Sequence, residues 1–199
     1  MIVAGLTGSI AMGKSETARM FAARGIPVFD SDTAVHELYA KGGEAVPAIA
    51  ALVPSAVTNG SVDRHKLAAR VMEQPELLER IEASVHPLVR LRQKVFLEAA
   101  EASGSPIAVL DIPLLFETGR EKEVDVVIVV SAKAELQRQR ALSRPGMTAE
   151  KLSFILSRQL PDAEKRSRAD YVVDTSVSLA DTAREVDRVI DDLKARSGG

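Results

Sequence analysis

The 199-residue chain alternates between short apolar runs and longer stretches with helical spacing of apolar positions. Ile2-Val3-Ala4-Gly5-Leu6 is apolar throughout, as expected of a strand buried in a parallel sheet. Ile26-Pro27-Val28-Phe29-Asp30 reads as a second strand, with Pro27 near its start, where a missing N–H is tolerated. Ile107–Asp111, Val124–Val130 and Tyr171–Asp174 complete a set of five. Between them the pattern predicts helices. One follows Ser15 and runs to Arg24, stopped by Gly25. Another runs from Thr33 to about Lys41, capped by Ser31 or Asp32. From Gly42 to Ser103 no convincing strand is visible. That stretch reads as a helix over Glu44–Val53, a loop over Pro54–Ser61 containing Asn59-Gly60, and a helix to Met72 capped by Asp63. Pro75 suits the first turn of the next helix, in which Leu77, Leu78, Ile81 and Val85 share a face. His86-Pro87 interrupts or kinks it, because proline disfavours helical geometry just before itself, and a further helix covers Leu88 to about Ala102. Roughly sixty residues exceed the length of one strand-to-strand crossover helix, so this part reads as a helical insert on an α/β core. Later helices are expected from Ala132 to about Arg144, capped by Ser131, over Thr148–Leu160, and from the Ser178-x-x-Asp181 capping box to about Arg196.

Composition narrows the class. A hydrophobic fraction of 46% supports a sizeable core, and the formal charge of -2 gives no reason to expect a nucleic-acid or membrane partner. There is no cysteine, and the three histidines are dispersed, so disulfides and zinc spacings are excluded. No apolar run approaches the ~18 residues of a membrane span, and the chain opens directly on a strand with no signal segment. A cytoplasmic monomer acting on a small molecule is the expectation.

Gly8-Ser9-Ile10-Ala11-Met12-Gly13-Lys14-Ser15 fits G-x-x-x-x-G-K-[ST] without mismatch, and it sits between a strand and a helix as that motif requires. Successive backbone amides in such a loop form a nest for anionic oxygens, reinforced by the positive end of the following helix. Gly8 and Gly13 permit the backbone angles and the close approach. Lys14 then reaches the β- and γ-phosphates, and Ser15 offers its hydroxyl to Mg²⁺. The strand Ile107–Asp111 is apolar until its last residue, so Asp111 can assist the metal directly or through water. The following loop, Ile112–Glu117 with Pro113 and Leu114, is strongly apolar and should pack on the insert or a substrate. The second strand runs parallel to the first, which puts Asp30 and Asp32 beside the crevice, although both also read as cap or loop residues. Arg138, Arg140, Arg144 and Arg158, with Lys165, Arg166 and Arg168, form a basic cluster on two helices joined by a turn, either a lid over phosphates or a solvated face.

These residues together resemble the dephospho-CoA kinase family over nearly the whole chain. The resemblance is carried by Gly5-Leu6-Thr7-Gly8 leading into Gly13-Lys14-Ser15, by Asp30-Ser31-Asp32, and by His86-Pro87-Leu88-Val89-Arg90. It continues in Asp111–Glu117, Arg140…Arg144 and Ala169–Asp174. It implies an α/β, three-layer P-loop kinase fold with a five-stranded parallel sheet, a helical insert and a helical lid. The core would comprise 1–33, 104–134 and 169–199, the substrate-binding insert 34–103, and the lid 135–168. The implied reaction moves the γ-phosphoryl of ATP, with Mg²⁺, to the ribose 3′-hydroxyl of dephospho-CoA. In that reading Lys14 and the loop around Gly8, Ala11, Met12 and Gly13 hold phosphates, and Ser15 and Asp111 organise Mg²⁺. Arg140, with Arg144 as second choice, closes from the lid, and Asp32 orients and deprotonates the acceptor. His86 and Arg90 look like the acceptor side, with a helix-kink role for His86 as the alternative, and Pro113 and Leu114 are implied as further substrate-binding residues. The family loop commonly reads Gly-Gly-Ile-Gly-Ser-Gly-Lys-Ser-Thr, so Ser9, Ala11, Met12 and Glu16 are departures. Glu16 favours the helix dipole but opposes phosphate charge, and is expected to point away from the nucleotide.

Overall fold

The structure is a computed structural model that describes residues 1–197, so the core segment expected over 169–199 ends in two residues outside the described ones. The chain divides into two compact units, one made of Met1–Phe29 with the chain from Ala100 onward, the other of Asp30–Ala99.

The first unit is built on β1 (Ile2–Thr7), which is followed by α1 (Lys14–Ala23) and β2 (Val28–Asp30). In the second unit come α2 (Ser31–Tyr39), α3 (Val46–Leu52), the short strands β3 (Val57–Thr58) and β4 (Ser61–Val62), α4 (Arg64–Glu73) and α5 (Leu77–Ala102). The chain then forms β5 (Ile107–Asp111), β6 (Val126–Ser131), α6 (Ala134–Leu142), α7 (Ala149–Ser157), α8 (Asp162–Ser167), β7 (Tyr171–Asp174) and α9 (Leu179–Ser197). The expected five-stranded parallel sheet is present, in the order β2-β5-β1-β6-β7. Alternate residues of the strands, Ala4, Leu6, Ile107, Val109, Ile128, Val130 and Val173, share a core with Phe21 of α1 and Val186, Val189, Ile190 and Leu193 of α9. That spacing of two is why strands buried on both faces read as unbroken apolar runs. Close approach matters once on the sheet itself: a Cβ on Gly5 would lie 3.1 Å from Leu115.

In the second unit the structure departs from the sequence reading in the 54–61 loop and in the long helix. Pro54–Ser61 is not simply a loop, because Val57–Thr58 and Ser61–Val62 pair as an antiparallel hairpin. Its turn is Asn59-Gly60, both at positive φ (53° and 78°), the combination a tight hairpin turn demands. Two-residue strands are too short to leave a periodic signal. His86-Pro87 does not interrupt the helix either; α5 runs unbroken with Pro87 inside it. Leu77, Ile81, Val85 and Val89 are all buried at four-residue spacing through the proline, and this packing outweighs a local preference worth about 3 kcal/mol. Asp63 caps α4 as expected, accepting from the amides of His65 and Lys66 at 3.0 and 3.1 Å. Those amides hold its carboxyl below the usual carboxylate range, that of Lys66 contributing most.

Candidate active site

The phosphate loop leaves the carboxyl end of β1 between β5 and β6. A Cβ on Gly8 would stand 2.6 Å from the Val130 carbonyl oxygen, so only glycine lets the loop pass β6. Gly13 lies at φ 95° as the N-cap of α1, where no side chain caps the helix. The first turn therefore presents its amides without a side-chain acceptor, the arrangement that receives anions. Lys14, the first residue of α1, ion-pairs with Asp111 at the end of β5, and their side chains are 15% and 5% exposed. Ser15 is exposed beside them. The lysine, the serine and the carboxylate expected to manage phosphate and metal thus come from adjoining elements.

The four departures from the family loop have distinct surroundings. Ala11 sits at φ 61°, in the left-handed region where a Cβ costs about 1 kcal/mol or more. Its buried methyl packs with Ala141 and Leu152, which offsets about 0.8 kcal/mol of that cost. The sulfur of Met12 lies 3.1 Å from the Ala132 amide, which donates to it. Ser9 is buried. The Glu16 carboxylate is taken by Arg19 one turn along.

The segment between β6 and β7 meets the loop from the other side. Arg140 donates to Thr175 Oγ1 at 2.9 Å and to the Thr175 carbonyl at 2.8 Å, while Thr175 Oγ1 donates to the Met12 carbonyl at 2.6 Å. Arg144 is exposed. Several expectations here are corrected. Ser131 does not cap a helix: it ends β6 and donates to Asp162 Oδ2 at 2.7 Å, and α6 starts three residues later. The expected helix over Thr148–Leu160 is α7, capped by Thr148 and ending at Ser157, and a separate helix α8 follows. Lys165 is no phosphate-facing lid residue, since it is fully buried and ion-paired with Glu117 at 2.7 Å. Arg168 stacks on Phe116 and pairs with Glu121. The loop after β5 uses its apolar residues within its own unit: Leu115 is buried under Gly5, and the Pro113 carbonyl accepts from Thr7 at 3.2 Å. Leu114, 40% exposed, is left on the surface.

In the second unit, Asp30, and not Ser31 or Asp32, caps α2, accepting from the Thr33 amide at 3.0 Å. Asp32 lies in the first turn of that helix and is exposed. His86 and Arg90 are exposed one turn apart on α5. His86 lines an apolar cavity of about 400 Å³ between α2, α4 and α5, together with Tyr39, Arg64, Leu67, Val71 and Glu82. Burial pushes the Tyr39 phenol up, an effect that Arg64 partly opposes.

Sequence reasoning missed Thr175, Gln137 and Gln159, each of which touches the phosphate loop. Thr175 directly follows β7, and the rule that ligands gather at strand carboxyl ends could have found it. Neither glutamine carries a local signal.

An uncapped helix start, a glycine loop pressed against β6 and a lysine–aspartate pair at a strand end mark a nucleotide-binding protein of the P-loop class. The sequence model for dephospho-CoA kinase matches residues 1–181. A dephospho-CoA kinase from Brucella melitensis is 56% identical over 196 residues, covering 98% of this chain and 97% of that protein. A crystal structure of TT1252 from Thermus thermophilus superposes with a TM-score of 0.81 at 34% identity, covering 96% and 97% of the two chains. A dephospho-CoA kinase from Campylobacter jejuni shares the fold at a TM-score of 0.72 and 24% identity, with 97% of each chain covered. The chain belongs to the dephospho-CoA kinase family, and it is an enzyme.

Proposed function

We propose that the chain performs the family reaction, transfer of the ATP γ-phosphoryl to the ribose 3′-hydroxyl of dephospho-CoA, giving coenzyme A and ADP. This is the final step of coenzyme A synthesis. One observation carries the phosphoryl-transfer half: α1 begins uncapped at Gly13, with Lys14 paired to the buried Asp111. Family membership supplies the acceptor.

The residues divide the work as follows. Amides of the 8–15 loop and Lys14 take the β- and γ-phosphates, Lys14 passing from Asp111 to phosphate oxygen as nucleotide enters. Ser15 and Asp111 fit Mg²⁺: both offer hard oxygen donors, and Mg²⁺ is commonly held by one or two such groups plus substrate phosphates. When bound, the ion offsets charge on the phosphates. Asp32 orients the acceptor hydroxyl and accepts its proton. The unit 30–99 binds the acceptor through Arg90 and through its apolar cavity beside His86, which takes the arm of dephospho-CoA. Pro113 and Leu114 are assigned as further substrate contacts. The segment 135–168 is the lid, with Arg144 a secondary phosphate contact. In this reading the enzyme acts as a cytoplasmic monomer. Among the described residues no helix is long and apolar enough to cross a membrane.

The defining assay measures ADP released from ATP and Mg²⁺ with dephospho-CoA, AMP, CMP or gluconate as acceptor. Dephospho-CoA is expected to be preferred by a wide margin in kcat/KM, and a preference for any of the others overturns the proposal. Arg140 supplies a second test. Its bonds to Thr175 leave it anchored beside the loop, so its contact with the transferring group is made on closure. Arg140→Ala should therefore lower kcat by about 10²-fold, the scale of one transition-state donor, with a smaller change in ATP affinity. An effect wholly on nucleotide affinity would make Arg140 a ground-state clamp.

A further inference from the structure

The tip of the phosphate loop is held from outside the loop. Gln137 on α6 donates from Nε2 to the Ile10 carbonyl at 2.9 Å, and the Ile10 amide donates to Gln159 Oε1, just beyond α7, at 3.0 Å. Both backbone groups of Ile10 are thus satisfied by side chains, one from within α6 and one from just beyond α7. Gln137 is only 8% exposed. The side chains repeat the pattern, since Ala11 forms a small core with Ala141 and Leu152, and Ile10 and Met147 pack against it. The next residue, Ala11, holds a left-handed backbone that an alanine seldom adopts unaided. Persistent strain of this kind requires surroundings that over-determine it.

We infer that Gln137 and Gln159 are positioning residues of the nucleotide site. They grip Ile10 from both sides and so keep Ala11 left-handed. The amides beyond Ala11 are then preset for phosphate while α6 and α7 are seated. Neither glutamine needs to touch the nucleotide; each acts through the loop. The inference rests on the reading of this loop as the ATP-phosphate site, not on the identity of the acceptor.

The two bonds have opposite polarity, and this makes the inference testable. Gln137 must donate, whereas Gln159 must accept. Gln→Glu makes the same change of charge and shape at either position. At 159 a carboxylate still accepts from the Ile10 amide; at 137 it faces the Ile10 carbonyl with no proton to give. Gln→Met removes the bond at similar size. The measurements are Mg·ADP affinity by calorimetry, kcat and KM for ATP, and the melting temperature of each sample. Gln137→Met and Gln159→Met should each weaken Mg·ADP binding and lower kcat/KM for ATP by about tenfold, the scale of one net hydrogen bond. Gln137→Glu should be worse than Gln137→Met, and Gln159→Glu better than Gln159→Met. A merely structural role would lower melting temperature in the same order but leave Mg·ADP affinity of the folded protein unchanged. Equal losses for the two glutamates, or values within twofold of wild type for both methionines, overturn the inference. If the Gln137 variants do not fold, the order of the Gln159 pair decides alone. ADP affinity needs no acceptor, so failure of the dephospho-CoA assay and failure of this inference remain distinguishable.

Discussion

Lys14→Ala should yield a folded protein that has lost nearly all turnover, with kcat down about 10³-fold, the upper range for removing one preorganised donor from a developing charge. Phosphoryl transfer spreads negative charge over the γ-phosphate oxygens, and catalysis rests on positioning and charge stabilisation. Lys14 begins α1 and ion-pairs with Asp111, and in the proposed mechanism it is the cation that meets this charge. A mostly buried pairing of this kind orients the ammonium before substrate arrives, so little reorganisation is left for the reaction itself. The lysine contributes one side chain at the edge of a core formed by β1, β5, β6 and α9, and its truncation should leave that core intact. Circular dichroism and thermal melting check the fold, and ADP release under saturating substrates checks the rate. A rate within tenfold of wild type, or a chain that no longer folds, would defeat this account of Lys14. Lys14→Arg provides a further comparison. It keeps the charge but substitutes a larger planar fork beside the buried Asp111, and should recover only a minor part of the activity.

Much of this site was legible because its signals are local. Gly8–Ser15 stands between a strand and a helix in sequence, and a single motif fixes the loop, the lysine and the serine together. Asp111 was legible because a polar residue ends an otherwise apolar strand. What failed was either too short or too distant to leave a pattern. The hairpin around Asn59-Gly60 has two residues per strand. The break expected at His86-Pro87 followed a local rule that four-residue packing along α5 overrode. Lys165 reads as part of a basic cluster, lid or solvated face, but its partner Glu117 lies 48 positions away in the loop after β5, and the pair is buried. The grip on Ile10 joins residues 127 and 149 positions apart, and no window of sequence contains both ends of either bond. Sequence alone does not place the cap of α2, because Asp30, Ser31 and Asp32 are all capable caps, and only backbone geometry selects Asp30 over the expected Ser31 or Asp32.

That selection bears directly on Asp32. Asp32→Asn is expected to lower kcat about 10²-fold or more, the usual scale for losing a general base, while ATP affinity stays nearly unchanged. Asp32 follows the carboxyl end of β2 by two residues and lies exposed in the first turn of α2. Capping of that helix belongs to Asp30, whose carboxylate accepts from the Thr33 amide, so Asp32 is not needed for it. A ribose hydroxyl is a weak acid, and a carboxylate can take its proton as the oxygen bonds to phosphorus. In a loose transition state the proton leaves late, so much of the carboxylate's effect is to aim the hydroxyl in line with the γ-phosphate. Asparagine keeps the shape and one acceptor oxygen but cannot take the proton. Asp30→Asn supplies the control, because asparagine caps a helix about as well as aspartate, and that variant should keep both its melting temperature and its rate. The two variants differ by two positions in one turn and make the same chemical change. Steady-state kcat for dephospho-CoA phosphorylation, with ATP affinity measured separately, separates them. A normal kcat in Asp32→Asn, or a loss of the same size in Asp30→Asn, would take the proton-accepting role from Asp32 and move it to Asp30 or Asp111.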